Sequence, residues 1–126
     1  MAENKLKVLL AEDDPFIRDI YQVKFSQEGF EVIAVDNGIK ALEKLKQVIP
    51  NIILLDIIMP YMDGMETLKN IRSNEIWKKI PVIMLTNISE KEKISESEKY
   101  KVDGYLIKSY FTPSEVVGKV KDLLKL

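Results

Sequence analysis

Asn51-Ile-Ile-Leu-Leu-Asp56-Ile-Ile-Met-Pro60 is the stretch on which the reading of this chain turns. The residues before Asp56 are largely apolar and β-branched, the pattern of a strand buried on both faces. The run then meets a carboxylate, three more apolar residues and a proline. An ionised carboxylate in such surroundings is costly unless something cationic pairs with it. Asp56 is therefore either the solvated end of a strand or part of a site.

Four further runs resemble this one: Lys5 to Ala11, Phe30 to Val35, Ile80 to Thr86, and Val102 to Ile107. Helical patterns lie between and after them. Asp14-Pro15 opens the first, with Asp as N-cap and proline at the first helical position, and Gly29 stops it. Ile39, Ala41, Leu42, Leu45 and Val48 form an amphipathic second helix that ends at Pro50. Asp63-Gly-Met-Glu66, Ser89-Glu-Lys-Glu92 and Thr112-Pro-Ser-Glu115 each have the spacing of a capping box, and each precedes a helix. The fourth helix carries only Ile94 and Tyr100 as large apolar residues, so it is expected to be the least stable. Five near-continuous apolar strands alternating with five helices predict an α/β fold, a doubly wound five-stranded parallel sheet with helices on both faces. Right-handed crossovers and the flavodoxin-like order 2-1-3-4-5 follow as the leading topology.

Composition narrows the chemistry. The chain has 126 residues, enough for one domain over residues 1–126 with one core. Its net charge of −1 and the absence of a basic stripe interleaved with aromatics argue against direct nucleic-acid binding. There is no cysteine and no histidine, so thiolate and imidazole metal sites, cysteine nucleophiles and phosphohistidine on this chain are excluded. No apolar run approaches membrane length and the N-terminus lacks signal-peptide character; a cytoplasmic protein with no membrane partner is expected.

In a 2-1-3-4-5 sheet, ligands bind outside the carboxyl ends of the strands, near the switch between strands 1 and 3. Those ends carry Glu12-Asp13-Asp14, Asp56, Thr86-Asn87 and Lys108-Ser109. Each member alone has an ordinary account: a helix cap, a strand-end carboxylate, a β-branched strand residue, a solvated lysine. Their coincidence at one end of the sheet is the specific signal. Carboxylates so close cannot all stay ionised without a cation, and oxygen-only donors favour Mg²⁺. A carboxylate nucleophile beside Mg²⁺, a lysine and a hydroxyl suits in-line phosphoryl transfer onto Asp56.

The motifs Ala11-Glu-Asp-Asp-Pro-Phe-Ile-Arg18, Leu55-Asp-Ile-Ile-Met-Pro-Tyr-Met-Asp-Gly64, Pro81-Val-Ile-Met-Leu-Thr86 and Gly104-Tyr-Leu-Ile-Lys108 together resemble the receiver domain of two-component response regulators, the single-domain, chemotaxis-regulator-like kind. The resemblance runs from about Lys7 to Leu124. It implies a signalling switch that catalyses only its own phosphorylation and dephosphorylation. Asp56 would be the phosphoacceptor. Asp13 would bind Mg²⁺ directly, Glu12 through water, and the Ile58 backbone carbonyl would complete the set with Asp56. Thr86 would be the switch hydroxyl, Tyr105 the switch aromatic and Lys108 the phosphate-pairing cation. The implied partners are a histidine kinase or histidine phosphotransfer protein, meeting the first helix, and a downstream protein target or output domain, meeting the face of helix 4, strand 5 and helix 5.

Three positions depart from that pattern. Ser109 follows Lys108 where a cis proline is usual; a cis Lys-Ser bond costs roughly 3 kcal/mol, so the loop either keeps it or is rebuilt. Asn87 stands where a small residue is commoner, narrowing access. Lys101 replaces a usual glycine, where a left-handed backbone costs about 1–2 kcal/mol. Ile58 and Ile88 cannot orient an attacking water, which predicts slow self-dephosphorylation. The competing reading is a non-phosphorylated pseudo-receiver acting as an interaction module. An Asp-nucleophile phosphohydrolase lacks its second Asp at Ile58, and a nucleotide binder lacks a glycine-rich loop after the first strand.

Overall fold

The computed structural model describes residues 5–126. Its strands are β1 (Lys7–Ala11), β2 (Glu31–Val35), β3 (Ile52–Leu55), β4 (Val82–Thr86) and β5 (Gly104–Ile107). Its helices are α1 (Pro15–Gln27), α2 (Gly38–Leu45), α3 (Gly64–Ser73), α4 (Lys91–Lys99) and α5 (Pro113–Leu123), with a 3-10 turn at Lys108–Tyr110. All pairings are parallel and the order is β2-β1-β3-β4-β5, as the strand pattern predicts.

The alternation of side chains along each strand divides the interior into two layers. Leu9, Ala11, Ile53, Leu55, Val82 and Met84 face one way, onto Ala41, Leu45, Met65, Leu68 and Ile71 of α2 and α3. Val8, Leu10, Ile52, Leu54, Ile83 and Leu85 face the other way, onto Tyr21 and Phe25 of α1 and Val116, Val117 and Val120 of α5. Every residue of β3 and β4 is buried, which is why those segments read as continuous apolar runs. The apolar residues of α1 divide differently from their spacing. Tyr21 and Phe25 are buried, whereas Phe16, Ile20 and Val23 are exposed.

Helix ends follow local chemistry. Asp14 caps α1 by accepting from the Phe16 and Ile17 amides. Asn37 and Asp63 do the same for α2 and α3, and Thr112 and Glu115 form a reciprocal capping box on α5. The expected box at Ser89 does not form. Glu90 is the N-cap of α4 and makes no side-chain cap bond. The chain is instead held at Ile88, whose N–H donates to Thr86 Oγ1 at 3.3 Å and whose carbonyl accepts from the Tyr105 hydroxyl at 2.6 Å. The backbone leaves that anchor extended, and the helix begins only at Lys91. Of α4, only Ser97 is buried.

Candidate phosphoacceptor site

Asp56 follows directly on β3, and its N–H donates to the Ala11 carbonyl of β1 at 3.0 Å, continuing the sheet by one rung. The residue is only 8% exposed. Its Oδ1 accepts the Ile57 N–H at 2.7 Å. The chain then doubles back, and the Gly64 N–H donates to the Ile57 carbonyl at 2.8 Å. A Cβ on Gly64 would stand 1.9 Å from the Asp56 carbonyl oxygen, so only glycine lets α3 start this close to the site.

The acidic trio after β1 divides by role. Asp14 is the helix cap. Glu12 is buried, its N–H bonded to the Val35 carbonyl at 3.0 Å and its Oε2 accepting from the Asp14 N–H at 3.1 Å. Asp13 is exposed at the mouth. Arg18 reaches back from α1 and donates from Nη1 to the Glu12 carbonyl at 2.9 Å, and at 3.4 Å to that of Asp13.

Lys108, the first residue after β5, crosses to the same point. Its Nζ donates to Asp56 Oδ2 at 2.7 Å and to Glu12 Oε1. Burial works against its charge, but the bonds to the two carboxylates outweigh it, and the pKa is raised. Burial raises the Glu12 pKa against the pull of Lys108. Lys108 therefore stays protonated at neutral pH.

Glu12, Asp13 and Asp56 each present an oxygen within 4.8 Å of the others. Three carboxylates against one ammonium leave negative charge in excess, and every donor is a hard oxygen. That set fits Mg²⁺, which suits few carboxylates and several waters.

Thr86 closes β4 at the same rim and is buried. Its oxygen accepts from Ile88, a bond that does not use the hydroxyl proton. Tyr105 is half-buried and tied to Ile88 rather than to the carboxylates. The Ile58 side chain is 65% exposed beside the site. So the sheet brings Glu12, Asp13, Asp56 and Lys108 into one cluster, with Thr86 at its rim and Tyr105 one loop away. The Lys108–Ser109 loop is rebuilt: the described residues include no cis peptide, and Lys108 opens the 3-10 turn.

The chain matches the model of the response regulator receiver domain over residues 8–121. The protein belongs to the response regulator receiver family. It is 34% identical to the chemotaxis protein CheY of Halobacterium salinarum, over 94% of this chain and 96% of that protein. It is also 31% identical to the probable transcriptional regulator ycf27 of Guillardia theta, over 98% of this chain. There the chain spans about half the relative's length, 47%. Among solved structures it resembles the chemotaxis response regulator CheY4 of Vibrio cholerae, with TM-score 0.87 and 29% identity over 95% of this chain and 99% of that one. Receivers are signalling modules of two-component systems rather than conventional enzymes, and phosphorylation by a histidine kinase is their general function. Neither these relatives nor the geometry favours the pseudo-receiver reading. Among the described residues, no helix is long and apolar enough to cross a membrane.

Proposed function

We propose that residues 1–126 act as one receiver unit in which Asp56 accepts a phosphoryl group from a phosphohistidine of a kinase or phosphotransfer protein. The observation that carries this is the position of Asp56: nearly buried, bonded to the Lys108 ammonium at 2.7 Å and clustered with the carboxylates of Glu12 and Asp13. A carboxylate oxygen of Asp56 attacks phosphorus. The new O–P bond forms as the P–N bond to the donor imidazole breaks, and the imidazole leaves with its electron pair. Asp13, Asp56 and the Ile58 carbonyl are the residues to hold Mg²⁺, with Glu12 acting through water. When bound, the ion neutralises charge on the transferring oxygens. Lys108 pairs with one phosphoryl oxygen and the Thr86 hydroxyl donates to another. The chain catalyses no other reaction in this reading, and it works in the cytoplasm through protein contacts.

Drawing Thr86 toward a phosphoryl oxygen removes the acceptor of the Ile88 N–H. The same residue's carbonyl holds Tyr105, so both switch residues act on one peptide segment at the entrance to α4. That is how one bond at Asp56 would bias the face made by α4, β5 and α5.

The test is incubation with acetyl phosphate and Mg²⁺, read by intact mass. Wild type is expected to gain one phosphoryl group and Asp56→Asn none; a wild type left unmodified under these conditions would sink the reading. Trp77 is a poor reporter, because it packs beside Ile80 before β4 enters the sheet, whereas the site lies beyond the strand's other end. The five residues of β4 alone span about 16 Å at roughly 3.3 Å per residue. Exposed Ile58 and partly buried Ile88 offer no side-chain group to orient water, so a phosphoryl lifetime of minutes or longer is expected, and decay within seconds contradicts it.

A further inference from the structure

Lys108 acts through a backbone whose position needs its own explanation. It carries a long flexible stem, and its ammonium must reach two buried carboxylates. The turn it opens, Lys108–Tyr110, gets no side-chain cap from Ile107, which precedes it. The second amide of that turn, Ser109 N–H, is one of the donors that a helical turn leaves without an internal partner. It donates to Asn87 Oδ1 at 3.0 Å. Asn87 lies on the neighbouring strand end, directly after Thr86, and is itself exposed. It does not reach Asp56 or the acidic pair by any hydrogen bond among the described residues. Its one side-chain bond joins the β4 end to the peptide that carries Lys108.

We infer that Asn87 is a positioning residue for phosphoryl transfer, fixing the Lys108 backbone through the Ser109 amide so that the ammonium stays directed at Asp56 and Glu12. This rests on the phosphoacceptor reading above. The two departures at 87 and 109 then form one device: a residue with an N–H after the lysine, and an acceptor across the gap to hold it. Asn87 is adjacent to Thr86, so the same bond links the positions of the hydroxyl and the ammonium on either side of the phosphoryl group.

The rival account is that Asn87 merely fills the mouth of the site. Asn87→Leu keeps the branched shape, with bulkier methyl ends, and removes the acceptor; Asn87→Ala removes both bulk and acceptor. The full chain is phosphorylated with acetyl phosphate and Mg²⁺, the rate is followed by mass, and folding is checked by urea unfolding. Positioning predicts that both variants slow threefold to tenfold at an unchanged urea midpoint. It also predicts that Asn87→Leu changes the rate less than twofold in a Ser109→Pro background, where no N–H remains to be held. Equal slowing in both backgrounds, a faster Asn87→Ala, or an unchanged Asn87→Leu overturns the inference. If Ser109→Pro is inactive, the comparison of Ala with Leu decides alone. Phosphorylation of wild type separates failure of this inference from failure of the phosphoacceptor reading; without it both fall.

Discussion

At the scale of single residues, the site is a charge arrangement in which each group stabilises another. Lys108 is almost enclosed, and its ammonium is the cation that both Glu12 and Asp56 use. Lys108→Met removes it and leaves two buried carboxylates facing one another. Breaking a buried pair from one side costs roughly 3 kcal/mol or more. Urea unfolding at neutral pH is expected to register a loss of that order, and Mg²⁺ to stabilise the variant more than wild type, because a second cation then does what the ammonium did. A variant as stable as wild type without Mg²⁺ contradicts the buried ion pairs. The carboxylates and the lysine were legible in the sequence because a parallel sheet collects strand ends, and each lies at one. The residues that support them were not. Asn87 meets Ser109 across 22 positions by a single bond, which no spacing announces. Arg18 binds carbonyls, and every residue has a carbonyl.

At the scale of elements, the contrast is between α1 and α4, which end in the same way with different residues. Each closes in a Schellman motif. After α1, the Phe30 and Gly29 amides donate to the Phe25 and Ser26 carbonyls, with Gly29 at φ 91°. After α4, the Val102 and Lys101 amides donate to the Ser97 and Glu98 carbonyls, with Lys101 at φ 55°. The sequence pointed to strain at Lys101, and the left-handed backbone is there. It did not point to what holds it. Arg72 of α3 donates to the carbonyls of Tyr100 at 2.9 Å, Lys101 at 3.0 Å and Ile80 at 2.9 Å, and pairs with Asp103 at 3.2 Å. A single arginine thus fastens the end of α4 to α3 and to the start of β4. Lys101→Gly relieves about 1–2 kcal/mol of backbone strain and gives back part of it as unfolded-state entropy. A net gain near 1 kcal/mol in urea is expected, with slower amide exchange in the last turn of α4. At the other end of this helix, Glu90→Ser supplies the missing cap and is expected to add up to about 1 kcal/mol. Its effect should appear as protection of the first α4 amides; unchanged exchange there contradicts the account of a poorly capped helix.

At the scale of the whole molecule, the buried site and its surroundings set how stability depends on pH, and the alkaline limb reads most directly. Burial raises the Tyr21 pKa from its ordinary 10.0, with smaller opposing and reinforcing effects from Lys108, Glu12 and Asp56. Burial also raises Tyr105 from 10.0, helped by the charges of Asp56 and Glu90. Lys108 is raised from 10.5 despite burial, through its carboxylate partners. In all three cases the folded protein holds the proton more tightly than the unfolded chain. As pH passes 10.0 the unfolded state releases protons first and binds fewer than the folded one, so the slope of stability with pH is negative. The contribution is fully present below the unfolded values and is lost as pH rises through the folded ones. The acid limb mixes signs. Glu12 is raised by burial and favours the folded state as pH falls. Glu28 and Asp36 are lowered, each chiefly by a hydrogen bond from a lysine, and work the other way. Urea midpoints should therefore stay level from about pH 8 to 9.5 and fall above 10. Tyr21→Phe and Tyr105→Phe should each flatten that fall, since a phenyl ring has no proton to release. Tyr105→Phe also frees the Ile88 carbonyl, so it should additionally speed amide exchange in the loop before α4, while Tyr21→Phe leaves that loop as it was. A fall above pH 10 that neither variant changes would place the alkaline lability outside these two phenols, on the lysines held above their ordinary value, Lys108 at the site and Lys69 beside Glu96.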